Sequence, residues 1–419
     1  MAHPLLDLAP AFYAGRKTAV TSVCSAHRVV IEATLRHGMT TSLPVLIEAT
    51  CNQVNQDGGY TGMTPADFRD FVYSIAGRVG YPTNLIILGG DHLGPNPWKD
   101  LPATEAMAKA EAMIAAFSAA GFTKLHLDTS MGCLGEPVAL ADTVTADRAA
   151  RLAAVAEAHR LGGLAPVYVI GTEVPVPGGA VDDLDHLQIT RPDAVATTYR
   201  IHEAAFANAG QADAFSRVIG LVVQPGVEFG HADVIQYMPE KARGLSAALA
   251  SLPGIVFEAH STDYQTEDSL RHLVAGGFSI LKVGPWLTFA LREALYGLDA
   301  IADVLDGHAP QNRLMQAMEA VMQASPANWA RYYNGDATDL WVQRHFSYSD
   351  RIRYYWPDPA AAAAVDALRT RLAGRMIPDP VLRQYLPNLP QSAAKADFES
   401  VLLRSVEAVL SICHAAIKG

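Results

Sequence analysis

Eight short runs rich in β-branched and aliphatic residues recur along the first 305 positions, and each is followed by a stretch of helical periodicity. The runs cover residues 18–25, 44–50, 84–92, 124–129, 166–173, 218–224, 255–260 and 279–283. The helical stretches cover 26–36, 65–79, 104–120, 145–161, 192–209, 241–252, 267–275 and 287–305. A strand followed by a helix returns the chain to the same end of a sheet, so such units build parallel sheets. Eight units close a (β/α)8 TIM barrel, which takes about 250 residues. An open doubly wound sheet would have a Gly-rich first turn, yet neither GxGxxG nor GxxxxGK[ST] follows any of the runs.

Beyond residue 305 the alternation stops. Aromatic and charged residues take over in 329–333 and in SYSDRIRYYW, then helical stretches resume between Pro378, Pro380, Pro387 and Pro390. The expected organisation is therefore a barrel over 1–305 and a C-terminal helical extension over 306–419 packed on it. Half of the 419 residues are apolar and 18% are charged, enough for a large core and too apolar for a disordered chain.

A formal net charge of −11 without a Lys or Arg block gives no concentrated positive field, which argues against nucleic acid or an anionic membrane as a partner. No uninterrupted apolar run of membrane-spanning length occurs, and the first 17 residues lack the pattern of a secretory signal. Cys24, Cys51, Cys133 and Cys413 form no CxxC pair. A cytoplasmic protein with reduced thiols is expected. The sequence leaves homo-oligomerisation open.

In a barrel the polar residues at the strand ends face the ligand-binding mouth. Here these are Ser25, Glu48, Asp91 with His92, Asp128, Glu173, Gln224, His260 and Lys282. His92 ends the third run, His231 follows the sixth and His260 ends the seventh. Three imidazoles converging from these positions would suit one divalent ion, with Zn2+ the first choice. The plain alternative for each is a hydrogen-bonded loop or core histidine, the reading preferred for His126 inside the fourth run.

Asp91 beside such an ion could shuttle a proton to a substrate hydroxyl, or could merely orient a ligand histidine. Glu173 is a candidate ligand or proton donor, with Glu136 a second choice. Glu48, Asn52 and Asn96 are candidates for binding a polyhydroxylated ligand, although amide-rich loops also cap their own backbone. Arg351 and Arg353 could hold a phosphate. The alternative for them is an ion pair tying the extension to the barrel.

The segments IEATCNQVNQDGGYTGM, GGDHLGPNPW, HLDTSMGC, GTEVPVPGG, PGVEFGHADV, FEAHSTDYQ and SDRIRYYWP resemble the large, so-called non-catalytic subunit of class II D-tagatose-1,6-bisphosphate aldolase, over nearly the whole chain. Members of that family are also labelled tagatose-6-phosphate kinases, and some are D-tagatose 6-phosphate 4-epimerases. The resemblance implies a phosphorylated ketohexose substrate, a place in tagatose or galactitol catabolism, and a metal-dependent 4-epimerase. The alternative role is an accessory subunit of a catalytic class II tagatose-bisphosphate aldolase.

A more distant similarity to class II fructose-bisphosphate aldolases implies Asp91 as proton shuttle, His92, His231 and His260 as zinc ligands, and Asp128 and Glu173 as acidic residues near the metal. Those aldolases carry an HGGSG-like phosphate loop after strand seven. This chain has HSTDYQ there instead, so the family's bisphosphate site is not expected.

Overall fold

A computed structural model describes residues 2–171, 187–252, 254–391 and 396–417. Its strands are β1 (Val20–Cys24), β2 (Val45–Thr50), β3 (Ile86–Leu93), β4 (Lys124–Leu127), β5 (Val167–Ile170), β6 (Val218–Val222), β7 (Glu228–Phe229), β8 (Val234–Ile235), β9 (Val256–Ala259) and β10 (Phe278–Val283). Eight of them form a closed barrel in the order β1-β2-β3-β4-β5-β6-β9-β10, every neighbour parallel. The other two, β7 and β8, make a small antiparallel hairpin in the loop after β6, an insertion that no alternation pattern announced.

The helices of the barrel segment are α1 (Leu8–Tyr13), α2 (Arg28–Thr41), α3 (Pro65–Val79), α4 (Ala103–Ala119), α5 (Asp142–His159), α6 (Pro192–Asn208), α7 (Ala212–Phe215), α8 (Pro239–Ala248), α9 (Glu267–Ala275) and α10 (Pro285–Leu305). Their ends obey local chemistry. In α3, for example, Thr64 and Asp67 form a capping box, Pro65 takes the first turn, and Gly80 closes the helix in the left-handed region. Beyond them lie α11 (Arg313–Ala324), α12 (Ala337–Phe346), α13 (Pro359–Leu372), α14 (Asp379–Tyr385) and α15 (Phe398–Ile417).

The last helix is part of the barrel's wall. In α15, Phe398, Val401, Leu402, Val406, Val409, Leu410, Cys413 and Ala416 form a buried stripe with helical spacing. That stripe packs on α2, α9 and α10 and reaches β1. With a mean hydropathy of 1.5, α15 has the length and composition of a membrane-crossing helix, but its apolar side is spent on this packing.

Inside the barrel the side chains form layers. Leu46, Ile87, Val167, Ile219, Val256 and Ile280 make an apolar floor, sealed from below by Leu5, Leu8 and Ala9 of the N-terminal segment. Above this floor, on β2, β4, β9 and β10, the interior turns charged, with Glu48, Lys124, Glu258 and Lys282. Above these stand Asp91, His126 and His260, at the mouth.

Candidate active site

The charged layer is a closed ion-pair network. Lys124, fully buried, lies 2.7 Å from Glu48 and 2.6 Å from Glu258. Lys282 pairs with Glu48 and reaches Asp91 at 2.8 Å. Gly89 leaves room for it, since a Cβ at that position would sit 2.7 Å from the Glu48 Cγ.

Asp91 is asymmetric. Its Oδ1 accepts from Lys282 Nζ at 2.8 Å and from the His92 backbone N–H at 3.0 Å, and faces His126 Nδ1 at 3.0 Å. The Oδ2 atom lies 3.6 Å from His92 Nε2 and 3.8 Å from the Cys24 thiol. Burial alone would raise the pKa of Asp91. The charges of His92 and Lys282 and the hydrogen bond with His126 outweigh it and hold the group well below the usual carboxylate range.

His92 and His260 are each oriented by a carboxylate. Nδ1 of His92 pairs with Asp128 Oδ2 at 2.9 Å, and Nε2 of His260 pairs with Glu258 Oε1 at 2.9 Å. Each ring donates one N–H to its acid, the arrangement typical of metal-binding histidines. The two rings meet edge to face, with centroids 4.8 Å apart. Burial lowers the His260 pKa to about 3, so its imidazole is neutral and able to ligate at neutral pH.

Backbone strain also gathers here. Among the described non-glycine residues with positive φ, His92 and Ser261 line the mouth. Such conformations persist only where the surroundings enforce them.

Asp91, His92, His126 and His260 each offer a donor atom, and these atoms lie within 4.8 Å of one another. The fit to a cation can be tested by charge. Glu48, Asp91, Asp128 and Glu258 are four buried carboxylates, against the ammonium groups of Lys124 and Lys282 and the imidazole of His126, whose pKa, despite burial, its contact with Asp91 raises. The cluster keeps a net negative charge, which is costly when buried and which a divalent ion among these donors would offset. The residues fit a divalent metal.

Two expectations need correction. His231 does not join this group, because both its ring nitrogens are engaged by the extension: Nδ1 by Ser347 Oγ at 3.1 Å and Nε2 by the Tyr332 carbonyl at 3.0 Å. It clips the loop carrying β7 and β8 to the C-terminal segment. Glu48 is fully buried and paired with two lysines beneath the cleft, and it is not part of the cleft lining. His126 lies in the core as expected, with Nε2 on the Gly171 carbonyl at 3.0 Å, yet its other nitrogen belongs to the Asp91 cluster.

Above the cluster opens a cleft of about 260 Å³ lined by Asp91, His92, His260, Lys282, Asn52 and Asn96 from the barrel and by Arg331, Tyr332, Arg351, Arg353 and Tyr354 from the extension. Asp128 stands behind His92, and Glu136 is held by Arg148 at 2.6 Å and by the Cys133 backbone N–H. Glu173 lies outside the described residues. Sequence reasoning passed over Lys124 and Glu258 as site residues. Their signal was present, since Lys124, His126 and Asp128, like Glu258 and His260, are spaced by two and share the inward face of a strand.

Fold and cleft together define a (β/α)8-barrel enzyme whose mouth carries a candidate metal-binding group. A family model described as D-tagatose-1,6-bisphosphate aldolase subunit GatZ/KbaZ-like matches residues 5–418, and the chain belongs to that family. It is 54% identical over 415 residues to a D-tagatose 6-phosphate 4-epimerase from Agrobacterium fabrum, covering 98% of each chain. A crystal structure from Sinorhizobium meliloti, described as a probable tagatose 6-phosphate kinase, superposes with a TM-score of 0.88 at 59% identity, over 95% of this chain and all of that one. The fructuronate-tagaturonate epimerase UxaE from Cohnella laeviribosi shares the fold, with a TM-score of 0.52 at 13% identity over 95% of this chain and 81% of that one.

Proposed function

We propose that this chain interconverts D-tagatose 6-phosphate and D-fructose 6-phosphate by epimerisation at C4, with a divalent metal, Zn2+ as first choice, held by His92 and His260 beside Asp91. The observation that carries this reading is Asp91, its Oδ2 beside two carboxylate-oriented histidines, in a chain 54% identical to a 4-epimerase. The ion would supply polarisation of the ketose carbonyl and hydroxyl oxygens.

The protein's own groups do the rest. Asp91 Oδ2 takes the proton of the C4 hydroxyl as the C3–C4 bond breaks, and returns it after the aldehyde has turned its other face. Lys282 and the His92 amide occupy Oδ1, so that the proton always travels through the same oxygen. Asn52 and Asn96, on the cleft wall, bind sugar hydroxyls. Glu173 is the sequence's candidate for a second proton donor.

The test is NMR of the purified, zinc-loaded chain with fructose 6-phosphate in D2O. Tagatose 6-phosphate with protium retained at C4 is the expected product. Deuterium at C4 would point to deprotonation at that carbon, and absence of turnover would defeat the epimerase reading. The family's description as an aldolase subunit favours a second role, stabilising a catalytic class II tagatose-bisphosphate aldolase, for a place in tagatose or galactitol breakdown. Co-purification with that smaller chain tests it.

A further inference from the structure

The extension contributes an alternating stack to the cleft. The guanidinium of Arg331 lies 4.9 Å from the Tyr332 ring, and that of Arg351 lies 3.4 Å from the same ring. Arg351 is also 5.1 Å from the Tyr354 ring, against which Arg353 sits at 4.5 Å. Tyr60, from the loop after β2, meets Tyr354 edge to face at 4.8 Å and ties the stack to the barrel. Three cations are thus interleaved with two aromatic rings along one wall of the cleft.

The hydrogen-bond partners of Arg351 and Arg353 are neutral. Arg351 Nε donates to the Asn328 carbonyl, Arg353 Nη1 to the Ser349 and Asp350 carbonyls, and Arg353 Nη2 to the Tyr354 hydroxyl at 3.0 Å. Among the described residues no carboxylate stands within ion-pair distance of any of the three, so the structural ion pair considered from the sequence is not what holds Arg351 and Arg353. The local field is correspondingly positive. Burial would raise the pKa of Tyr354, yet Arg353 and Arg351 bring it below its ordinary value. In a chain of net charge −11, three guanidiniums without a direct ion-pair partner among the described residues, beside a buried anionic cluster, form a two-ended site.

We propose that Arg331, Arg351 and Arg353 form the site for the terminal phosphate of the sugar, supplied by the extension in place of a Gly-rich barrel loop. The inference rests on the sugar-phosphate reading above. Planar guanidiniums match phosphate oxygens in paired hydrogen bonds, and the tyrosine rings hold the forks in place before the ligand arrives. The metal-binding end then takes the ketose and the arginine end its phosphate. The stack would therefore select phosphorylated over free ketoses.

Calorimetric titration with inorganic phosphate, fructose 6-phosphate and fructose tests this on the wild type, Arg331→Ala and Arg353→Met. Arg331 is exposed, so its replacement leaves the fold intact. Loss of one charge-assisted pair weakens binding about ten- to a hundredfold. That loss is expected for phosphate and fructose 6-phosphate in both variants, with fructose unchanged. Wild-type affinity for phosphate in both variants, or no phosphate binding by the wild type, overturns the site. Turnover is scored separately. Phosphate binding that both substitutions weaken, in a protein that does not epimerise, upholds the anion site and removes only the epimerase reading. Epimerisation with unaltered KM in both variants does the reverse.

Discussion

Replacing Lys124 with Met probes the charged layer that carries the mouth. The ammonium group is fully buried and bridges Glu48 at 2.7 Å and Glu258 at 2.6 Å. Methionine matches its length and removes its charge, so the packing loss is small. What remains is two buried carboxylates sharing Lys282, which also serves Asp91. Breaking a buried pair from one side costs about 3–5 kcal/mol, because the partner charge is left stranded. Two partners put this variant near the upper end, a large share of the roughly 5–15 kcal/mol that holds a native protein together.

Urea unfolding followed by circular dichroism measures the loss directly, and it should shrink when Glu258→Gln is added, since the stranded charge is then gone. Acid sensitivity gives an independent reading. Burial alone would raise the Glu258 pKa, but Lys124, Lys282 and His260 hold it well below the ordinary value. A carboxylate depressed in the fold adds stability that is present above its unfolded pKa and is lost as pH falls through the folded one. Without Lys124 that window moves up, and the variant should unfold at higher pH than the wild type. A cost under about 1 kcal/mol, with strict additivity in the double variant, would refute the network as described.

Asp128→Asn should weaken metal binding about 10- to 100-fold by loosening His92, read by competition with a chromogenic chelator. His231→Phe should leave metal content intact while lowering activity, because it releases the clip to Ser347 and Tyr332, whereas His260→Ala should empty the site; elemental analysis separates the two. Asp350, buried beside Thr288, has its pKa pushed up to about 7, mainly by burial. A raised carboxylate stabilises the fold fully below its unfolded value and loses that contribution as pH climbs through the folded one. Asp350→Asn should therefore flatten the fall in stability between about pH 4 and 7, measured as melting temperature against pH.

The barrel was legible because burial on both faces makes each parallel strand a continuous apolar run, and all eight expected runs contain or overlap a barrel strand. Asp91, His92 and His260 were legible for the same reason: a residue at a strand's end is placed by the strand. His231 was not. It lies nine positions beyond the end of β6, where the hairpin β7–β8 and the extension decide where a side chain goes. Lys124 and Glu258 were hidden differently, since a charge within a buried run is tolerable only with a partner, and the partners lie on other strands. The arginine stack needed Tyr332 to meet the Arg351 guanidinium from a distant stretch of the chain, which no local pattern encodes.

The position of α15 has a bearing on how the chain reaches this state. A polypeptide emerges from the ribosome N-terminus first, and α2 is made hundreds of residues before the helix it packs against. During that interval the apolar flanks of α2, α9 and α10 are bare, and the barrel has an unsealed seam. Contacts this distant in sequence form late and slowly, and the open intermediate is exposed to aggregation. The barrel wall is therefore closed only when a helix hundreds of residues beyond α2 has been made, which makes α15 the latch of a nascent protein.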